Sequence, residues 1–265
     1  MKLSNYIFSK LVAEGIDTVF LVTGGGAMHL NDAIGRTPGL TFVCNHNEQA
    51  SSIAAEGYAR VKNKPAIVNV TTGPGSINSL NGVHGAFTDS IPMIVISGQV
   101  KRETIMSTYN NPGLRQLGDQ EVDIISMVKG ITKYAVEIKD PNSIRYHLEK
   151  AIYLSTSGRP GPVWISIPVD VQAAEVDIDK CDAFVPEKLN IDQTVLKADI
   201  NNIINKITTD NISIKSILTH IIFEVRADKI LIDIITKCVI NKSITKMIII
   251  NIYIIIKRIC EYVIW

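Results

Sequence analysis

Glycine and proline are missing from residues 187–265 of this sequence. All 17 glycines lie at or before Gly161, and the last of the 10 prolines is Pro186. An α/β domain needs both residue types to form its turns. Isoleucine makes up roughly a third of residues 191–265. We therefore predict a domain over residues 1–175, a linker over 176–190, and an irregular or partly helical Ile-rich tail over 191–265 that is not a native domain.

Two interpretations of this tail are open. One is a membrane segment, but Asn251, Lys257 and Arg258 interrupt its most apolar window, residues 247–265. That window falls short of the ~18–20 apolar residues that a spanning helix requires. The other is translation in a wrong reading frame. Ile, Asn and Lys dominate the composition of the tail, as AT-rich codons would give. We favour the second interpretation and predict no membrane partner.

The sequence also lacks an excess of charge of one sign, since its 27 Lys and Arg residues are balanced by 26 Asp and Glu residues. A nearly neutral chain gives no electrostatic reason to bind nucleic acid. The four cysteines form no CxxC pair, which argues against a zinc site. Free thiols are typical of a reducing compartment, so we expect a cytoplasmic protein.

Short apolar runs alternate with helical patterns over the first 170 residues. We predict six strands, at 18–22, 41–44, 66–71, 93–98, 133–138 and 162–168. Six helices are predicted at about 3–14, 27–35, 47–62, 76–88, 119–127 and 141–156. This alternation predicts an α/β fold with a doubly wound, mainly parallel six-stranded sheet and helices on both faces. Ligands of such sheets bind at the carboxyl ends of the strands.

Three predicted loops follow strands at that edge. The first, TGGGAM (23–28), lacks the GxGxxG spacing of a dinucleotide site, and the third, TTGPGSIN (71–78), lacks the GxxxxGK[ST] of a triphosphate site. The second, CNHNEQAS (44–51), places Glu48 in the first turn of a helix. An acid there is either favoured by the helix dipole alone or acts in chemistry. Cys44 and His46 flank it, and we expect a core thiol and a partly buried imidazole.

The ordered set of motifs resembles the N-terminal, pyrimidine-binding domain of thiamine diphosphate enzymes of the acetolactate synthase group. The matching stretches are TGGGAMHLNDAI, NHNEQASSIAAEGYAR, TTGPGSINSLNGVHGAFTDSIPMIVISGQV, QLGDQEVDIISMVKGITKYAV and TSGRPGPVWISIPVDVQ. The resemblance implies that Glu48 is catalytic and hydrogen-bonds N1′ of the aminopyrimidine, in acid–base catalysis relayed through the cofactor. It also implies that Gly24, Gly25, Pro74, Asn78 and Gln120 line the cofactor site.

Thiamine diphosphate is therefore the expected cofactor. In the group, Mg²⁺ is held by a separate diphosphate-binding domain with a Gly-Asp-Gly stretch, which we do not find in this sequence. Thr23, Asp119 and Val169 stand where the group usually has Pro, Phe and Lys. These departures leave the substrate and FAD binding open.

The resemblance implies a 2-oxo acid decarboxylase or carboligase acting on a small-molecule substrate. We expect the chain to be truncated and inactive alone, and to work as a homo-oligomer or with a partner chain that carries the diphosphate domain. Two alternatives are the small subunit of a split enzyme and a non-catalytic binding module on the same fold.

Overall fold

The computed structural model describes residues 1–109 and 113–187 of the chain. Two compact units are distinguished. The first comprises Met1–Thr156 and Pro160–Pro186, and it contains all the elements described below. The second comprises Ser157–Arg159 and Glu187–Trp265. The predicted tail, residues 191–265, lies outside the described residues.

The first unit alternates helices and strands from its first residues onward. Its strands are β1 Thr18–Leu21, β2 Thr41–Cys44, β3 Ala66–Val70, β4 Met93–Gln99, β5 Tyr134–Glu137 and β6 Pro162–Pro168. Its helices are α1 Leu3–Ala13, α2 Met28–Arg36, α3 Glu48–Lys62, α4 Pro74–Asn78, α5 Leu80–Thr88, α6 Ile124–Val128, α7 Ile144–Thr156 and α8 Val169–Gln172.

The six strands form one parallel sheet in the order β2-β1-β3-β4-β6-β5. The chain first winds from β1 outward to β2, and then returns to place β3 on the other side of β1. The winding direction thus reverses between β1 and β3, and the loops after these two strands diverge to opposite faces. Such a switch point opens a crevice at the carboxyl ends of the strands.

Side chains on each strand alternate between two separate cores. Val19 and Leu21 pack with α1, α2 and α7 on one face, whereas Phe20 packs with α3 and α5 on the other. The central strand β4 is buried over its whole length. This double burial explains why the strands read as continuous apolar runs in the sequence.

The structure confirms the predicted doubly wound α/β fold. All six predicted strands are present, and their bounds agree within two residues. The predicted helix 119–127 is wrong over its first half, because α6 begins only at Ile124. Gln120 has a positive φ of 55°, which an α-helix does not allow. The predicted helix 76–88 is divided into α4 and α5.

Residues 176–186, predicted as part of a linker, pack against the N-terminus and α7. The Val176 N–H donates to Met1 O at 2.9 Å, and the Phe184 N–H donates to Glu149 Oε2 at 2.9 Å. The Phe184 ring lies edge-on to Tyr146, with centroids 5.6 Å apart. Among the described residues, no helix is long and apolar enough to span a membrane.

Candidate functional site

Loop 1, residues 23–27, leaves β1 at the switch point and packs against Thr71 at the end of β3. The Gly26 N–H donates to Thr71 Oγ1 at 3.0 Å. A Cβ built on Gly24 would lie 2.5 Å from Thr71 Cβ, a distance that no real side chain tolerates. Loop 1 can therefore approach β3 only because position 24 has no side chain.

Side-chain amides hold the backbone carbonyls of the same loop. Asn31 Nδ2 donates to Gly24 O at 3.3 Å, and Asn69 Nδ2 donates to Asn31 Oδ1 at 2.9 Å. Gln172 Nε2 donates to Gly26 O at 2.7 Å. Loop 1 is thus fixed by hydrogen bonds to one backbone N–H and two backbone carbonyls, as a preformed binding loop requires.

Glu48 begins α3, directly after edge strand β2. Asn47 precedes it in extended conformation, and its Oδ1 accepts from the Ala50 N–H at 2.8 Å. This side-chain cap starts the helix and leaves the Glu48 carboxylate available for other contacts. Glu48 is partly exposed, and its Oε2 accepts from Asn78 Nδ2 at 2.8 Å.

Loop 3, residues 71–78, brings Asn78 to Glu48 through a turn that only glycine permits. Gly73 has a positive φ of 59°, and a Cβ there would lie 1.9 Å from Gln120 O. A Cβ on Gly75 would lie 3.2 Å from Glu48 Oε1. A Cβ on Gly75 would also lie 2.7 Å from Thr71 Cγ2, so the missing side chain lets α4 lie close to both Glu48 and Thr71.

The structure brings most of the predicted site residues to this switch point. Glu48 and Asn78 are hydrogen-bonded. Gly24 and Gly75 both pack on Thr71, which lies 2.5 Å from the Cβ position of Gly24 and 2.7 Å from that of Gly75. Pro74 is exposed and is the first residue of α4. Gln120 reaches loop 3 through its backbone carbonyl. Gly25 is exposed, and a Cβ there would meet nothing within 4 Å.

Cys44 is not the core thiol that the sequence predicted, and His46 is not the predicted partly buried imidazole, since both side chains are exposed. Cys44 is exposed because β2 is an edge strand and all four of its residues face solvent. In the described part of the chain, no group of three His, Cys, Asp or Glu side chains could hold a metal ion.

Two residues of the site were missed from the sequence. Thr71 links loop 1 to loop 3. Asn69 supports loop 1 indirectly, because it donates to Asn31, which in turn donates to Gly24 O. An asparagine inside the apolar strand run AIVNV was the available signal for Asn69, because a buried amide demands partners. The role of Thr71 depends on the pairing of β1 with β3, which no local pattern reveals.

Comparisons with known proteins agree on one family. The family model described as thiamine pyrophosphate enzyme, N-terminal TPP binding domain, matches residues 1–127. Chloroplastic acetolactate synthase of Arabidopsis thaliana is 36% identical over 169 residues, which cover 64% of this chain and 24% of that protein. The probable acetolactate synthase large subunit of Methanocaldococcus jannaschii is 35% identical over 191 residues, covering 72% of this chain and 30% of that protein.

A solved structure shares the fold. The thiamine diphosphate-dependent 4-hydroxybenzoylformate decarboxylase of Rhodococcus jostii RHA1 matches with a TM-score of 0.64 at 22% identity, covering 77% of this chain and 38% of that chain. The chain spans about a quarter to a third of the length of the curated relatives it matches.

Proposed function

We infer that this chain, whose residues 1–127 are a thiamine pyrophosphate enzyme N-terminal domain of the acetolactate synthase type, binds the aminopyrimidine of thiamine diphosphate at the β1/β3 switch point. The observation that supports this most directly is the Glu48–Asn78 contact. It holds one carboxylate oxygen at 2.8 Å, and the other oxygen lies beside Gly75.

The residues present fit a flat, polar heterocycle. Gly24 and Gly75 let their backbones pack closely on Thr71. At Gly25 a Cβ would meet nothing within 4 Å, so a ring can lie against the backbone there. Glu48 offers an acceptor that can also carry a proton. The site supplies no cluster of metal ligands within the described residues, so any Mg²⁺ on the diphosphate would be held by groups outside this part of the chain.

In the proposed role, Glu48 exchanges a proton with a ring nitrogen of the bound pyrimidine. Asn78 keeps the carboxylate in one orientation, and the Asn47 cap fixes the helix that carries it. When bound, thiamine diphosphate would supply the nucleophilic carbon that adds to a 2-oxo acid. Proton transfer by a positioned side chain typically contributes ~10²–10⁴-fold to a rate.

A chimeric enzyme tests this function. Residues 1–186 of this chain would replace the matching N-terminal region of the Methanocaldococcus jannaschii relative. We expect decarboxylation of one or more 2-oxo acids, and exchange of the thiazolium C2 proton of thiamine diphosphate measured by NMR. Glu48→Gln should lower that exchange at least ~100-fold, whereas Glu103→Gln, an exposed acid near Lys101, should not change it.

The alternatives give different results in the same experiment. Tight binding of free thiamine diphosphate by the unmodified chain alone would favour a non-catalytic binding module. Activity on mixing the unmodified chain with a separate diphosphate-domain chain would favour a split enzyme. A folded chimera that binds the cofactor but shows the same exchange rate before and after the Glu48→Gln substitution would contradict the proposed role of this carboxylate.

We also propose that the α3–α5 layer pairs with a second copy of the chain. The two helices pack closely, since a Cβ on Gly82 would lie 2.4 Å from Ser52 Oγ. These two helices and the adjoining α4 expose four large apolar side chains, Ile53 (48% exposed), Val61 (79%), Ile77 (41%) and Phe87 (38%). Exposed apolar side chains grouped on one layer are typical of an interaction surface.

A further inference from the structure

The carboxylate of Glu121 accepts hydrogen bonds from the backbone of two different segments that follow β4. Its Oε1 accepts from the Met106 N–H at 2.8 Å, and its Oε2 accepts from the Gly118 N–H at 2.6 Å. Hydrogen bonds to a charged acceptor are about twice as strong as those between neutral groups. One partly buried side chain therefore ties both segments together.

Glu121 also closes the turn that contains Gln120. The Glu121 N–H donates to Gly118 O at 3.2 Å, so residues 118–121 form a β-turn with Asp119 and Gln120 at its centre. Gln120 has a φ of 55°, which a residue with a side chain adopts only when its surroundings enforce it. The contact with Gly73 on one side, and the two hydrogen bonds between Glu121 and Gly118 on the other, enforce it here.

Gly118, the first residue of this turn, is packed closely against the segment that leaves β4. It is buried, and a Cβ there would lie 2.7 Å from Val100 Cγ2 and 2.9 Å from Thr104 O. Gln116 Nε2 donates to Gly118 O at 2.8 Å. The Glu121 carboxylate is thus anchored on a part of the backbone that has little room to shift.

The other end of the turn touches loop 3 of the candidate site. A Cβ on Gly73 would lie 1.9 Å from Gln120 O and 3.3 Å from Gln120 Cβ, so both the backbone and the side chain of Gln120 lie against Gly73. Gln120 is exposed and can therefore reach a ligand beside loop 3. Because Glu121 directly follows Gln120 and closes its turn, release of the Glu121 carboxylate would let Gln120 move relative to Gly73.

We propose that Glu121 is a positioning residue whose carboxylate holds the Gln120 turn against loop 3. The carboxylate fixes the turn to the segment that leaves β4, and the turn sets the Gln120 side chain beside Gly73. The importance of this placement for a reaction rests on the proposed function. The two hydrogen bonds of the carboxylate do not, and they can be tested without any cofactor.

Amide hydrogen exchange of the full chain, followed by NMR without cofactor, tests these two bonds. We expect the Met106 and Gly118 amides to be protected. Glu121→Gln keeps the side-chain shape but replaces one acceptor oxygen by NH₂, so at least one of the two amides should exchange about tenfold faster while β3 keeps its protection. Asp119→Asn removes the same charge from an exposed position of the same turn and should change neither rate. Unprotected Met106 and Gly118 amides in the unmodified chain would overturn the proposal, and that result needs no variant to fold. Unchanged rates in a folded Glu121→Gln chain would overturn it as well.

A double-mutant cycle in the chimeric enzyme separates action through Gln120 from a general loss of stability. Glu121→Gln should lower kcat/KM for the 2-oxo acid about tenfold when Gln120 is present, but less than about twofold when Gln120 is already replaced by alanine. Losses that simply add, or no loss in Glu121→Gln, would show that Glu121 does not act through Gln120 and would overturn the proposal. A chimera without any activity would refute the proposed function, and the exchange rates of the Met106 and Gly118 amides would then decide the positioning role by themselves.

Discussion

Asn78 at the end of α4 donates a hydrogen bond of 2.8 Å to the carboxylate of Glu48 at the start of α3. The two residues are 30 positions apart, and each follows a different strand of the sheet. Their contact exists because α3 and α4 both begin at the carboxyl edge, on one side of the switch point. It converts a common helix-start acid into a carboxylate with a fixed orientation.

Replacing Asn78 by Asp should destabilise the domain through charge repulsion with Glu48. We expect a loss of ~0.5–1 kcal/mol in the free energy of unfolding at low salt, because the pair is exposed. Urea unfolding in 0.05 M and about 1 M NaCl should show most of this loss disappearing at high salt, where charges are screened. Asn78→Ala is the control, and its effect should not depend on salt. A salt-independent loss in Asn78→Asp would argue against the contact.

Gly24 and Gly25 should respond differently to the same substitution. Gly24→Ala places a methyl group 2.5 Å from Thr71 Cβ, so loop 1 must move and the Gly26–Thr71 hydrogen bond must weaken. We expect a loss of ~1–3 kcal/mol of stability. Gly25→Ala meets nothing within 4 Å and should change stability by less than about 0.5 kcal/mol. Thermal unfolding compares them, and equal effects would contradict the packing of loop 1 on Thr71.

The sequence predicted the strands well because most of them are buried on both faces and carry unbroken apolar runs. The position of Glu48 followed from a helix start that the Asn47 cap confirms. The exposure of Cys44 could not be predicted, since it depends on β2 being the edge strand. The positive φ of Gln120 was equally hidden, because it follows from close contact with Gly73, far earlier in the chain.

Two glycines on α5 separate helix packing from helix propensity. A methyl group on Gly82 would lie 2.5 Å from the Ser52 backbone carbon, whereas one on Gly85 would meet nothing within 4 Å. We expect Gly82→Ala to lose ~1–3 kcal/mol of stability. Gly85→Ala should gain ~0.5–1 kcal/mol, since alanine favours the helix. Chemical denaturation measures both, and a stabilising Gly82→Ala would show that α3 and α5 are not packed this closely.

Charge on the α3–α5 layer should disrupt self-association. Ile53→Glu places a carboxylate on the proposed pairing surface. It removes an apolar contact and buries a charge in the dimer, so we expect the dimer to weaken at least ~100-fold. Sedimentation velocity over a concentration series measures this. Val185→Glu, at a 79% exposed position outside α3, α4 and α5, is the matched control and should associate as the unmodified chain does. A chain that is monomeric without any substitution would remove the basis for this surface.

Lys133 should give the stability of the domain a distinctive pH dependence. It lies just before β5, and its Nζ donates to Leu154 O. Burial lowers the pKa of its ammonium group from 10.5 to about 8. Between these two values the unfolded chain binds more protons than the folded one, so this residue makes the folded state more stable as pH rises.

The contribution is isolated by subtracting the unfolding free energy of Lys133→Met from that of the unmodified chain. Because Lys133 is only partly buried, we expect the difference to move in favour of the unmodified chain by on the order of 1 kcal/mol between about pH 7.5 and pH 10. Above that range, Tyr6 and Tyr134, whose pKa values burial raises to about 12, lower the stability of both chains as pH rises, because the folded state then retains protons that the unfolded chain releases. This trend is common to both chains and cancels in the difference. Lys129→Met, on the exposed surface, should give a flat difference over the same range. A flat difference for Lys133→Met as well would mean that water reaches its ammonium group in the folded state.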